Sequence, residues 1–186
     1  MTTARDKKTL ILDTAEKLML DEGYAAVSTR RVAKEAGLKP PLVHYYFPTT
    51  DDLFIAVYRR AAEHELEKLN EALASQPSLQ TLWSFAGHSD RIALALEFMA
   101  LANHRKVIQE EIARSTELVR RRQAEALTEL LDLDTIKPGD CSTTGITVLL
   151  SGVARALVME NGVGISLGHA EAAAFVEWWL AHLGKR

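Results

Sequence analysis

Apolar residues recur along this chain at spacings of three and four, the period of a helix face, and strand-like alternation never lasts more than a few residues. Leu10, Ile11, Ala15, Leu18 and Met19 predict a buried stripe on a first helix over about residues 5–21, which Gly23 ends. After a compact segment to Pro48, a long helix is expected from Thr49 or Thr50 to about residue 74, with Leu53, Phe54, Val57, Ala61, His64 and Leu69 along it. Gln76-Pro77-Ser78 breaks the pattern. A short helix over residues 79–86 follows, then one beginning near Asp90 that is apolar on most sides, with a break at Asn103-His104-Arg105. The next long helix, to about Leu131, should turn Val107, Ile108, Ile112, Leu118, Ala124, Leu127 and Leu131 inward. Residues 133–140, with Pro138-Gly139, read as a loop. Two apolar helices, about 142–160 and 169–183, close the chain.

The compact segment, STRRVAKEAGLKPPLVHYYF over residues 28–47, carries the most information. Ser28 is placed to cap a short helix. Val32, Ala33 and Ala36 give that helix a small apolar side. Gly37 suits the left-handed residue past its end, and Leu38 the plug beneath the turn. Pro40 and Pro41 fit the first turn of a second helix, where a missing N–H costs nothing. Val43, Tyr46 and Phe47 form its apolar side, and Pro48 ends it. Helix, short glycine turn and helix are the spacing of a helix-turn-helix. Lys39, Pro40, Pro41, Leu42, His44 and Tyr45 then point outward, a set with a cation and aromatic and imidazole donors suited to phosphates and base edges.

With its flanks, Gly23-Tyr24-Ala25-Ala26-Val27 before and Tyr45-Tyr46-Phe47-Pro48-Thr49-Thr50-Asp51-Asp52-Leu53 after, the segment resembles the amino-terminal domain of TetR/AcrR-family bacterial transcriptional regulators over about residues 5–66. The resemblance implies an obligate dimer that represses transcription, with a DNA-reading head at residues 1–66 and a divergent ligand-binding and dimerisation domain at 67–186. It also implies that the long fourth helix links head and body. Three positions depart from the family pattern. His44 stands where tyrosine is usual and can donate the same phosphate bond. Thr50 replaces a usual lysine and offers only its hydroxyl and the free N–H groups of a helix start. Pro41 replaces a small residue, which stiffens the entry.

Composition adds less. The 186 residues are 47% apolar and 25% charged, ordinary for a folded soluble protein, with a formal net charge of −3. Residues 1–50 hold eight Lys/Arg against six Asp/Glu, and residues 51–186 fourteen against nineteen, so positive charge gathers at the end bearing the motif. No uninterrupted run of about 18 apolar residues suggests a membrane span, and the opening MTTARDKKTLILD is not a secretion signal. The single cysteine, Cys141, cannot form an internal disulfide, and a cytoplasmic location is expected.

Catalytic and metal motifs are missing. His64-Glu65 has no second histidine at position 68. Gly162-Val163-Gly164 has leucine at 167 and no preceding strand, so it reads as a turn rather than a dinucleotide loop. No enzyme activity, metal or cofactor is expected. A small-molecule effector is more plausible, with Trp83, Phe98, Met99, Asn103, His104 and Met159 as candidate contacts on the middle helices. Asn103 and His104 are the polar candidates. Trp178 and Trp179 point about 100° apart on one helix, so one should face away from its own core. Pairing the last two helices with those of a second copy covers it, in an isologous four-helix interface.

The expectation is therefore an all-α protein of about nine helices: a ligand-responsive repressor, dimeric through its last two helices. Residues 40–46 of each copy would enter successive major grooves of a palindromic double-stranded DNA operator, with half-sites about 34–36 Å apart or somewhat more. Lys39, His44 and Tyr45 would anchor to the DNA backbone. Leu42, Pro40 and Pro41 would touch bases, and Thr29 and Arg30 would hold phosphate from the first helix of the motif. The other reading is a helical sensor or adaptor that no longer binds DNA specifically.

Overall fold

Three serines start three helices in the same way: Ser28, Ser78 and Ser142 each accept a hydrogen bond at Oγ from the backbone N–H three residues on, at 3.1, 3.0 and 3.0 Å. Each bond satisfies one of the orphan donors of a first turn. Thr49 does the same reciprocally: Asp52 N donates to its Oγ1 at 3.1 Å while its own N–H donates to Asp52 Oδ2 at 3.0 Å, a capping box with aspartate in the usual glutamate place.

The computed structural model describes residues 4–87, 89–131 and 141–183. Among them are nine α-helices: α1 Ala4–Glu22, α2 Thr29–Glu35, α3 Pro40–Tyr46, α4 Thr50–Ser75, α5 Leu79–Ala86, α6 Ser89–Ala102, α7 Lys106–Leu130, α8 Thr143–Gly162 and α9 His169–Leu183. A single 3-10 turn, Tyr24–Ala26, lies between α1 and α2. The all-α architecture is as expected. The expected loop at 133–140, and His88, lie outside the described residues.

The chain forms two compact units. The first takes residues up to Glu63 together with Ala93–Ser115, and the second takes His64–Ile92 and Thr116 onward. In the first unit Val32, Val43, Leu53, Phe54 and Phe98 are all but solvent-free in one core. Phe98 from α6 meets Phe54 and Tyr58 of α4 edge to face, with ring centroids 6.2 and 4.9 Å apart. In the second unit α5 packs on α8 and α9. There Arg91 pairs with Glu65, donates to the Phe85 carbonyl and lies over the Phe85 ring. Burial pushes the Glu65 carboxyl up, against the pull of Arg91 and Arg155.

Several inward assignments need correction. Leu10 is 40% exposed, and Leu12 takes its place in the α1 stripe. Val107 and Leu118 of α7 are each 49% exposed. The inward line of α7 runs through Ile108, Glu111, Ser115 and Val119, spacings of three and four that are hidden from a hydrophobic pattern because two members are polar.

Those two polar residues satisfy one another. Glu111 accepts from Arg59 of α4 at 2.7 Å and from Ser115 at 2.9 Å, and also from Arg114. Burial pushes its carboxyl up, but the three donors outweigh burial and hold it at about 2. The folded value therefore lies below the unfolded one of about 4.3. The resulting stability is fully present above about pH 5 and is lost as pH falls towards about 2. Both arginines are half exposed, so solvent screening trims the gain. Glu111→Gln is expected to cost roughly 1–2 kcal/mol at pH 7 and only a few tenths of a kcal/mol near pH 2.5. Urea denaturation of wild type and variant at both pH values checks this; an equal gap at both contradicts the assignment.

Candidate nucleic-acid interface

The turn between α2 and α3 is built by its own residues. Gly37 has φ 66°, where a side chain would be strained. Its N–H donates to Lys34 O at 3.2 Å, and the next N–H, of Leu38, reaches back to Ala33 O at 2.9 Å. These are the two bonds of a Schellman motif, with Leu38 plugged against the first unit's core as expected. Lys39 then stands in extended backbone as the N-cap of α3, without a side-chain cap, and the two prolines fill the first two helical positions.

Val43 and Phe47 anchor α3, at 0% and 3% exposure. Their burial turns the other side outward: Lys39, Pro40, Pro41, His44 and Tyr45 are exposed and Leu42 is half-buried. Tyr45 is 79% exposed and rests edge to face on Tyr46 at 5.2 Å. The His44 ring lies between two oxygens, with Nε2 3.5 Å from Thr29 Oγ1 and Nδ1 3.4 Å from Pro48 O. Thr29 itself is only 7% exposed, so its hydroxyl faces His44 rather than open solvent.

Arg30 is exposed on α2. It shares an open groove of about 450 Å³ with Ser28, Arg31, Lys34, Leu38 and Pro40. Arg31 and Lys34 belong to the positive charge gathered at the end bearing the motif but were not read as DNA contacts, although Arg30 and Lys34 stand at the i, i+4 spacing that puts two cations on one helix side. Arg31 is held by Glu22 and Glu35, at 2.9 Å each. The groove and the outer side of α3 together offer cations, a phenol, an imidazole and apolar rings, the chemistry of phosphate and base-edge contact.

The candidate ligand contacts are divided between the two units. Phe98 is fully buried as a core residue of the first unit. Met99 is 42% exposed on the same helix. Asn103 and His104 lie in the exposed turn between α6 and α7, where water meets their polar groups, so they are not a polar pair inside an apolar helix. Trp83, 8% exposed, and Met159, 50% exposed, belong to the second unit. Among the described residues no three His, Cys, Asp or Glu side chains cluster as metal ligands do.

Comparison with known proteins bears on this geometry. Residues 11–57 match the model of the bacterial regulatory proteins of the TetR family. The HTH-type transcriptional regulator BetI of Rhizobium meliloti is 34% identical over 53 residues, covering 28% of this chain and 26% of BetI. The HTH-type regulator EthR of Mycobacterium tuberculosis is 26% identical over 115 residues, 60% of this chain and 50% of EthR. The matches thus span half or less of the length of these curated relatives. A transcriptional-regulator candidate from Saccharomonospora viridis, crystallised with choline, superposes with a TM-score of 0.78 over 98% of this chain and 100% of its own, at 16% identity, which speaks for the fold alone. A Schellman turn between two short helices, an anchored α3 with an exposed outer side, and a family match laid over those same residues lead to one conclusion: residues 11–57 are a helix-turn-helix segment like that of the TetR family of bacterial regulatory proteins.

Proposed function

We propose that this protein is a ligand-responsive transcriptional repressor that binds a palindromic operator as a homodimer. The observation that carries the proposal is the exposed side of α3, with Tyr45 79% exposed beside His44 and the prolines, next to a groove lined by Arg30, Arg31 and Lys34. In this reading residues 1–66 form the DNA-reading head and 67–186 the ligand-binding and dimerisation region. Lys39, His44 and Tyr45 hold the DNA backbone, and Leu42, Pro40 and Pro41 approach the bases. Arg30 supplies phosphate contact from α2, while Thr29 acts through His44 by fixing its ring. The effector is a small molecule bound in the body, which favours a dimer with heads badly spaced for two half-sites.

Dimerisation through α8 and α9 is supported by what these helices leave uncovered. Val148, Leu149 and Met159 on α8 and Phe175 and Trp178 on α9 are each 45–62% exposed. The rings of Phe175, Trp178 and His182 stack along α9 at 5.7 and 4.5 Å. By length and composition α8 is apolar enough to cross a membrane, with mean hydropathy 1.2, although it contains no uninterrupted run of about 18 apolar residues. Ile146, Thr147, Leu150 and Ala154 bury its other side within its own unit, and Arg155 interrupts it. A second copy is the occupant that suits such a one-sided helix.

One observation favours the second reading, a sensor that does not read DNA: Thr29 and His44 already face each other. A gel shift with the DNA upstream of the protein's own gene decides between the two. The repressor reading expects sequence-specific binding that weakens steeply with salt. Tyr45→Ala is expected to weaken it about tenfold or more, with the dimer intact by size-exclusion chromatography. Unchanged affinity removes Tyr45 from the interface, and no specific binding by the wild type removes the repressor.

A further inference from the structure

The 3-10 turn Tyr24–Ala26 sets where the helix-turn-helix begins, and it has no cap of its own. Its N-cap residue is Gly23, which carries no side-chain acceptor. Gly23 is needed there for its backbone, φ 82° and ψ 165°. The first N–H of the turn, that of Tyr24, therefore has no local side-chain partner. It donates instead to Glu97 Oε2 at 2.7 Å, a carboxylate on α6 from 73 residues further along the chain. A charged acceptor on a helix-start N–H is among the stronger hydrogen bonds a protein makes.

A second charged link stands at the other end of the motif. Asp51, in the first turn of α4 just after α3, pairs with Arg105 in the turn that follows α6, and the Arg105 guanidinium lies 5.7 Å from the Phe54 ring centroid. Between these two links, Leu94, Phe98 and Leu101 of α6 share one core with Val32, Val43 and Phe47 of the motif. The core is greasy and tolerates small slides. Two directional polar links at residues 24 and 51 do not.

We propose that Glu97 and Arg105 are positioning residues for DNA binding: by holding the backbone just before α2 and the first turn of α4, they fix the helix-turn-helix on α6 in its DNA-reading orientation without touching DNA. The inference rests on the repressor reading above, and its test separates the two. Full-length wild type, Glu97→Gln, Glu97→Ala and Arg105→Ala are titrated against a duplex of the upstream region, at several salt concentrations and at a temperature where circular dichroism shows each fully folded.

Glu97→Ala is expected to weaken binding about tenfold, Arg105→Ala about threefold, and Glu97→Gln two- to threefold at most, because its amide oxygen still accepts from Tyr24. The slope of log affinity against log salt should stay at its wild-type value, since no phosphate contact is removed. Wild-type affinity in Glu97→Ala, or a slope reduced by about one in Arg105→Ala, overturns the proposal. If the wild type binds no duplex, the repressor reading fails first. Hydrogen exchange at the Tyr24 amide then still judges the link to Glu97: faster by about tenfold in Glu97→Ala but not in Glu97→Gln upholds it, and equal protection in all three proteins sinks it.

Discussion

Phe175→Glu combined with Trp178→Glu is expected to yield a folded monomer whose operator affinity is lower by two to four orders of magnitude. Both side chains stand more than half exposed on α9, so the monomer does not depend on them for its core, and their replacement should leave the helical signal intact. In a two-fold dimer each change counts twice, which sets four carboxylates into one apolar seam. Burying an unpaired charge costs several kcal/mol, enough by itself to undo an interface of ordinary size. A monomer then meets one half-site at a time and loses the roughly 10²–10⁴-fold gain of a linked second head. Analytical ultracentrifugation and a fluorescence-anisotropy titration read the two effects separately. A variant that stays dimeric moves the interface off α9. A monomer with wild-type affinity removes the need for two heads.

Phe98→Ala is expected to be the costliest single truncation for stability, about 3–5 kcal/mol, the usual loss for a buried phenylalanine. Phe98 has no exposed surface and packs edge to face against Phe54 and Tyr58. The neighbours cannot close the gap easily. Phe54 is itself fixed in the core beside Leu53 and Val57, and Tyr58 belongs to the same rigid helix. The loss should appear as a lower urea midpoint for the first unit, followed by near-ultraviolet circular dichroism. A loss under about 1.5 kcal/mol would mean that Phe98 borders a space that can collapse, or that something else fills it, as its candidacy as a ligand contact supposed. That outcome would favour Phe98 as a ligand contact.

The contrast between Phe98 and Tyr45 shows what a hydrophobic pattern can and cannot say. Both are aromatic residues in helices, and both were candidates for function. Tyr45 was legible because its helix is seven residues long and its neighbours Val43 and Phe47 leave only one side for the core. Phe98 sits in a helix apolar on most sides, where every phase of the pattern looks equally buried. The same ambiguity misled the assignment of Val107 and Leu118, which face outward because Glu111 and Ser115 hold the inward line of α7. Polar side chains buried in mutual pairs look, in sequence, like surface.

Helix starts and stops, and the helix-turn-helix itself, could be read from the chain because their chemistry is local. Ser28, Ser78 and Ser142 reach donors three residues away, and the turn at Gly37 closes through bonds spanning three and five residues. Other polar partners lie far off in sequence: His44 for Thr29 at 15 residues, Glu111 for Arg59 at 52, Glu97 for Tyr24 at 73. No periodicity encodes such pairings, because they depend on which helix faces arrive side by side once the chain has packed. Local bonding settles what kind of element each stretch becomes. Distant contacts settle which polar groups meet, and so how the helix-turn-helix is held.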